Sequence, residues 1–244
     1  MSACLWLAIG TAEAEFIGLN IGPSQWAPAL NGAYNSYEAD SIELVDDLEL
    51  EDPGQSSMVL ILEHPIKALP NIKYRGHDLD SSNRITLGAD VTLNGQTFIS
   101  GKEVKSTYDL SQSDIVLYYQ LLKSRVNLDL GVELRSFDGQ ISLNGDTSTR
   151  VEVDETIPLF YLSARFDVPN SGFYVGANIN TRFIDLGLSE SNAQDSTIML
   201  GYDSGNGLGV EGGFKYFSLE LDDVNSLNND LEYDGIFLNG YYNF

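Results

Sequence analysis

Basic residues are scarce. The 244-residue chain sets 13 Lys and Arg against 36 Asp and Glu, a formal charge of −23. Such a surface repels phosphate backbones, so nucleic acid is excluded as a partner. Cysteine is almost missing: Cys4 stands alone, which rules out a disulfide framework or a thiolate metal cluster. No apolar run approaches the ~18 residues of a spanning helix. Helical periodicity is nearly absent, and no phosphate-binding Gly loop, CxxC pair or HExxH motif occurs. Aromatics are plentiful by contrast, with 13 Tyr and 11 Phe, and they argue against disorder in spite of the charge.

The N-terminus carries a processing signature. Residues Ala3 to Ile9 form a short apolar core, and Thr11-Ala12-Glu13-Ala14 supplies small residues before a cut after Ala14. Residues 1–14 therefore read as a signal peptide. No Lys or Arg precedes the apolar core, so its basic start is trimmed. Residues 15–244 form the mature unit.

Period-two alternation dominates that unit. In the stretch from Arg125 to Phe137, Val126, Leu128, Leu130, Val132 and Leu134 point one way, and Asn127, Asp129, Glu133 and Arg135 the other. The pattern returns around residues 17–21, 58–62, 72–76, 115–121, 160–167, 173–183, 198–202, 208–216 and 236–244. That makes ten strands, with eight or twelve as the alternatives. Connections at Pro65–Pro70, Lys123-Ser124, Pro169–Gly172 and Ser204–Gly207 are short. Those over residues 26–56, 78–110 and 221–232 are long and acidic, and Asn94-Gly95 marks a hairpin inside the second.

Short turns on one rim and long loops on the other predict an all-β fold, an antiparallel up-and-down transmembrane β-barrel of the bacterial outer membrane. A sheet in hydrocarbon must close, because every backbone amide has to be paired there. Each strand then sends one row of side chains to lipid and one to the lumen. The predicted lumen carries the charged row: Glu63, Lys73, Arg75, Arg125, Asp129, Glu133, Arg135, Arg165, Asp167, Arg182, Glu211 and Lys215. Packed closely, these groups should pair and narrow or block the passage. Tyr118, Tyr119, Phe173, Tyr174 and the residues from Tyr241 to Phe244 are placed for an interfacial girdle at the short-turn rim. Trp26 and Phe183 are placed for one at the other rim. The C-terminal Phe244, with Tyr242 and Leu238 stepping back by two and four, resembles the targeting strand read by the barrel assembly machinery.

At Glu63-His64-Pro65, Leu69-Pro70-Asn71-Ile72, Asp114–Tyr119 and Leu128-Asp129-Leu130-Gly131 the chain resembles a family of small, uncharacterised outer-membrane β-barrel proteins of Gram-negative bacteria. The likeness spans nearly all of residues 15–244. It implies an outer-membrane location, lipid and lipopolysaccharide as surroundings, and a monomer. It brings no substrate, cofactor or catalytic residue.

Candidate chemistry is sparse. His77 lies beside Asp78, Asp80, Ser81 and Ser82, from which a Ser–His–acid relay can be drawn. Asp78, Asp80 and Asn83, and Asp222, Asp223 and Asn225, offer hard oxygen ligands for divalent cations, without the Gly and terminal Glu of an EF-hand. The sequence thus favours a structural or narrow, porin-like channel role for small hydrophilic solutes, with no enzyme and no cofactor. The alternatives are a rim enzyme acting on lipid A or peptides with His77 as base, and an adhesion or receptor module using the long loops.

Overall fold

The computed structural model describes residues 18–36, 41–50, 55–182 and 191–244. The expected signal segment 1–14 and Phe183 lie outside them. The strands are, in chain order, β1 (Gly18–Ser36), β2 (Ile42–Glu43), β3 (Gln55–Glu63), β4 (Asn71–His77), β5 (Asp80–Thr86), β6 (Val91–Leu93), β7 (Gln96–Phe98), β8 (Glu103–Asp109), β9 (Gln112–Lys123), β10 (Val126–Asn144), β11 (Ser148–Asp167), β12 (Phe173–Thr181), β13 (Asn192–Asp203), β14 (Leu208–Val224) and β15 (Leu227–Asn243). Ten of them close an antiparallel ring in the order β1-β3-β4-β9-β10-β11-β12-β13-β14-β15, and β15 pairs back on β1 from Asn20↔Asn243 to Ser36↔Leu227. These are the ten strands the alternation predicts. No helix among the described residues is long and apolar enough to cross a membrane.

The staves are far longer than the predicted segments. β10 has 19 residues and β11 has 20, or about 60 Å at ~3.3 Å per residue. A tilted strand needs only about 9–11 residues to cross hydrocarbon. What the surplus does is written in the side chains. On β10 the even-numbered residues point outward and the odd-numbered inward along its lower part. Near the short turns the outer row is Val132 and Leu134, and the inner row Glu133 and Arg135. Beyond Arg135 the facing is kept and the polarity exchanges. Phe137, Ile141 and Leu143 are buried inside, while Asp138 lies outside.

The same exchange occurs on neighbouring staves. On β14 the outer Leu208, Val210 and Phe214 give way to Glu220 and Asp222, and the inner Lys215 gives way to Phe217, Leu219 and Leu221. On β15 the outer Asp230 and Glu232 give way to Ile236 and Leu238. The barrel therefore has two storeys. The lower has an apolar outside and a polar lumen. The upper, here called the crown, has a polar outside and an apolar core, as a water-soluble β-barrel would.

This corrects the expectation of long polar loops. Residues 221–232 are strand on both sides of a tight turn, where Asp223, Asn225 and Ser226 adopt positive φ of 50°, 51° and 64°. β1 runs on to Ser36, and Ile42–Glu43 folds back against it at Ala33↔Glu43. Residues 78–110 form the standing hairpin that Asn94-Gly95 predicts. β5 and β8 carry the staves of β4 and β9 upward, with β6 and β7 at the tip. Leu79 accepts a bond from the Leu110 amide at 2.8 Å where these staves meet.

Leu44, Leu93, Leu143, Leu219 and Leu231 are all fully buried in the crown core. Leu219→Ala is expected to cost roughly 2–5 kcal/mol of unfolding free energy, from lost transfer and the cavity left behind. Denaturant titration of the refolded protein checks this. A cost near zero would mean that the crown is not packed.

The predicted aromatic girdle is only partly present. Tyr119, Phe173, Tyr242 and Phe244 face outward. Tyr118, Tyr174 and Tyr241 face the lumen instead, and Trp26 is buried beneath the crown with its ring edge-on to Tyr233. The reason is parity: each inward-facing tyrosine is the immediate neighbour of an outward ring, and adjacency in sequence places the two on opposite faces.

Candidate functional site

The lumen is built from the polar inner rows of the lower storey, in two layers. The upper layer centres on Arg135, which is wholly buried. Its guanidinium donates from Nε to Asp114 Oδ1 at 2.9 Å, and from Nη2 to Glu133 Oε1 at 2.6 Å and Asp195 Oδ2 at 2.5 Å. Arg75 joins from β4, with Asp114 at 3.0 Å and Glu133 at 3.5 Å. Asn180 donates to the second oxygen of Asp195 at 2.8 Å. Three carboxylates thus face two guanidiniums, with the Lys215 ammonium as the third cation facing this layer. Isolated charges at this depth would be prohibitive, and mutual pairing with satisfied hydrogen bonds is what makes the layer tolerable.

The strands explain the convergence. Asp114 and Arg135 are cross-strand partners on β9 and β10, and Arg75 is the partner of Asp114 on its other side. Glu133 lies two residues before Arg135 on the same inward row. Asp195 reaches in from across the barrel on β13. Above, the Arg135 guanidinium lies 5.3 Å from the ring centre of Phe217. That contact is the boundary between ion-paired layer and apolar crown.

The lower layer lies near the short-turn rim. Arg165 bridges Asp167 at 2.7 Å and also Asp203, and it stacks 3.5 Å from the Tyr174 ring. Tyr174 donates to Glu211 at 2.7 Å, Asn239 donates to the other oxygen of Glu211 at 2.7 Å, and Tyr241 donates to Asp203 at 2.5 Å. The Tyr174 ring lies where a Cβ on Gly201 would stand, 2.0 Å from its nearest ring atom, so only glycine fits there. Between the layers lies a cavity of about 520 Å³ that reaches the rim at Asn127, Asp167 and Asn243.

The predicted lumen residues distribute as follows. Glu63, Lys73, Arg75, Asp129, Arg165, Asp167, Glu211 and Lys215 line the cavity. Lys73 sits 5.6 Å from the Tyr161 ring, and Glu63 accepts from Tyr118 at 3.4 Å. Glu133 and Arg135 form the sealed layer above it. Arg125 differs: it is exposed in the turn between β9 and β10 and does not face the lumen. Arg182 follows β12 at the opposite end and donates to the Ser191 carbonyl at 2.6 Å. Asp114 and Asp195, two anchors of the upper layer, were not among the expected residues. Both continue the inward parity of strands that alternation alone begins at Ile115 and Ile198, so extending each run backward would have found them.

His77 does not join the relay drawn from its neighbours. Its ring is buried in the lumen with Nε2 3.6 Å from Asp114, while Asp78 and Asp80 are exposed. His64 packs in the β3–β4 turn, where its Nδ1 accepts from the Ile66 amide at 3.2 Å and its Nε2 is 2.9 Å from the Pro70 carbonyl. Among the described residues no three His, Cys, Asp or Glu side chains are grouped to hold a metal ion. Asp223 and Asn225 instead shape the β14–β15 turn, and Asn225 donates to the Glu152 carbonyl at 2.8 Å. Leu238, Tyr242 and Phe244 share the outer face of the last strand, and the Tyr242 and Phe244 rings meet edge-on at 4.6 Å.

No protein-family model and no curated protein matches the sequence. Among solved structures, the chain is similar to the transport unit of the autotransporter AIDA-I from Escherichia coli, at 10% identity over 98% of this chain and 94% of that one, with a TM-score of 0.41. It is similar to the toluene transporter TodX of Pseudomonas putida at 8% identity over 93% and 90%, with a TM-score of 0.30. A loop-deleted form of OmpT, an outer membrane protein of Vibrio cholerae, matches at 8% identity over 92% and 99%, with a TM-score of 0.27. Likeness this distant says nothing of the lumen. What defines the chain is its own hydrogen-bonded ring, closed over ten strands.

Proposed function

We propose that the chain is an integral, monomeric outer-membrane β-barrel with a structural role: it anchors an acidic β-crown at the cell surface and conducts no solute. The observation that carries this reading is the sealed interior, in which the Arg135 layer lies under the crown's apolar core. An aqueous channel needs a continuous polar path, and Phe217, Leu219, Phe137 and Ile157 fill the place where it would run. The apolar outer belt supports the membrane setting. Ile198, Leu200, Ile236 and Leu238 are each more than half exposed, in a contiguous patch that a monomeric soluble protein would rarely tolerate. Short turns then face the periplasm and the crown faces outward. The row Leu238, Tyr242 and Phe244 presents the assembly signal to the barrel assembly machinery. Lipopolysaccharide surrounds the belt's outer edge, where divalent cations screen the crown's carboxylates.

In planar bilayers the purified protein is expected to give no discrete conductance steps under voltages that open porins. Regular steps, altered in size or ion preference by Glu133→Gln, would establish a channel instead. The burial of His77 against Asp114, away from the outer rim, supports a non-enzymatic reading. A surface-recognition role remains compatible with the same anchor, because the crown's hairpins present a packed acidic face. Deleting the β6–β7 hairpin, residues 91–98, is the test of that second reading: it should abolish binding of a surface partner while the barrel stays folded.

A further inference from the structure

Lys215 sits on the inward row of β14, and its cross-strand partner on β15 is Gly235, which has no side chain. The Lys215 ammonium lies 4.5 Å from the ring centre of Trp26. The residue is only 6% exposed. Among the described residues the ammonium makes no hydrogen bond and no ion pair. Opposite Trp26 on β3 is Gln55, 2% exposed, with no partner for its Nε2; the indole Nε1 of Trp26 likewise has none. All three side chains line the inner end of the 520 Å³ cavity.

This end of the lumen differs from the rest. The acids of the layer above are consumed by Arg135 and Arg75. The acids near the mouth, Glu211, Asp167 and Asp203, are tied to tyrosines and Arg165. What lacks a partner at the inner end is an ammonium, an amide and an indole N–H, with the ring nitrogens of His77 beside them and the Asp129 and Asn239 oxygens further along the cavity. Buried polar groups in folded proteins almost always find partners. Three unpaired donors facing one cavity therefore describe an acceptor that is to arrive, and the ammonium among them suits a negatively charged one. Val59, Met199 and Phe237 give the same cavity an apolar lining, beside the polar Ser57, His77 and Thr197. A volume of this size falls within the range of small-molecule sites.

We propose that the inner end of the lumen binds a small organic monoanion, a carboxylate with a short apolar body that enters from the short-turn rim. Its oxygens take hydrogen bonds from Lys215, Gln55 and Trp26. Its chain packs on Val59, Met199 and Phe237. The carboxylates of Glu63, Asp129 and Glu211 around the approach exclude dianions and larger polyanions.

The test uses the full chain carrying Trp6→Phe, so that Trp26 is the sole tryptophan. Refolded protein in micelles is titrated with hexanoate, and the emission of Trp26 is followed. Hexanoate should give a saturable change, whereas hexanol and hexylamine, which enter the same micelles, should not. Lys215→Met should weaken hexanoate binding by about tenfold or more, since a charge-assisted hydrogen bond is lost. Gln55→Glu, which sets a carboxylate beside the site, should abolish hexanoate binding and admit hexylamine. The proposal is overturned if hexanoate and hexanol act alike, or if Lys215→Met titrates as its parent. Should Lys215→Met fail to run as a folded barrel in unheated gels, Gln55→Glu decides alone, and unchanged hexanoate binding there overturns it equally.

Discussion

Arg135→Met should be the most damaging single substitution in the lumen. It removes the one cation that touches Asp114, Glu133 and Asp195 at once, all of them fully buried. Breaking a buried pair by deleting one partner typically costs about 3–5 kcal/mol, because the charge left behind is neither solvated nor matched. Here three carboxylates lose a partner, and Arg75 reaches only two of them. The expected result is failure to reach the heat-modifiable folded form on gels, or a urea midpoint far below that of the parent. Combining Arg135→Met with Asp195→Asn, the one acid of the three that Arg75 does not reach, should recover a good part of the loss. If the single variant folds as well as the parent, the layer is not the seal described above.

The second large effect concerns one row of one strand. Ile236 and Glu232 both point outward on β15, four residues apart, with Ile236 in the belt and Glu232 in the crown. Arginine facing the middle of a bilayer from a barrel costs about 2–4 kcal/mol. The cost of a surface change in water is usually within ~0.5 kcal/mol. Ile236→Arg should therefore lower the unfolding free energy in lipid vesicles by the larger amount, and Glu232→Arg should leave it nearly unchanged. Leu231→Arg, pointing inward next to Glu232, should prevent folding of the crown. Equal effects of Ile236→Arg and Glu232→Arg would place both residues in the same surroundings and erase the two-storey division.

Much of the ring was legible because alternation survives in every stave. The strands around Val126–Leu134 and Leu208–Phe214 announce themselves by apolar residues at every second position. The crown was not legible as strand, and the reason is physical. Above Lys215 the apolar residues move from even numbers to odd ones, as Phe217, Leu219 and Leu221, while Glu220 and Asp222 take the even positions. A reader who follows one apolar row sees it stop, meets acids, and infers a loop. The period never broke; the solvent on each side changed places. The same oversight hid Asp114 and Asp195, which stand at the junction where neither row looks consistently greasy. Trp26 illustrates the complementary error, because a tryptophan near a rim suits a headgroup as well as a core, and only the facing of β1 decides between them.

The unbroken staves have a mechanical corollary. β14 and β15 rise from the belt to their tip at Asn225 and Ser226 with a register shift only near the tip, between Leu221 and Val224. No hinge separates the anchor from what projects beyond it. A pull on that tip along the barrel axis loads the ladders to β13 and β1 in shear, so that many hydrogen bonds resist together instead of parting one after another. The projecting hairpin and the lower staves would thus tilt as one lever, and a lateral tug on the crown would reach the opposite rim as torque.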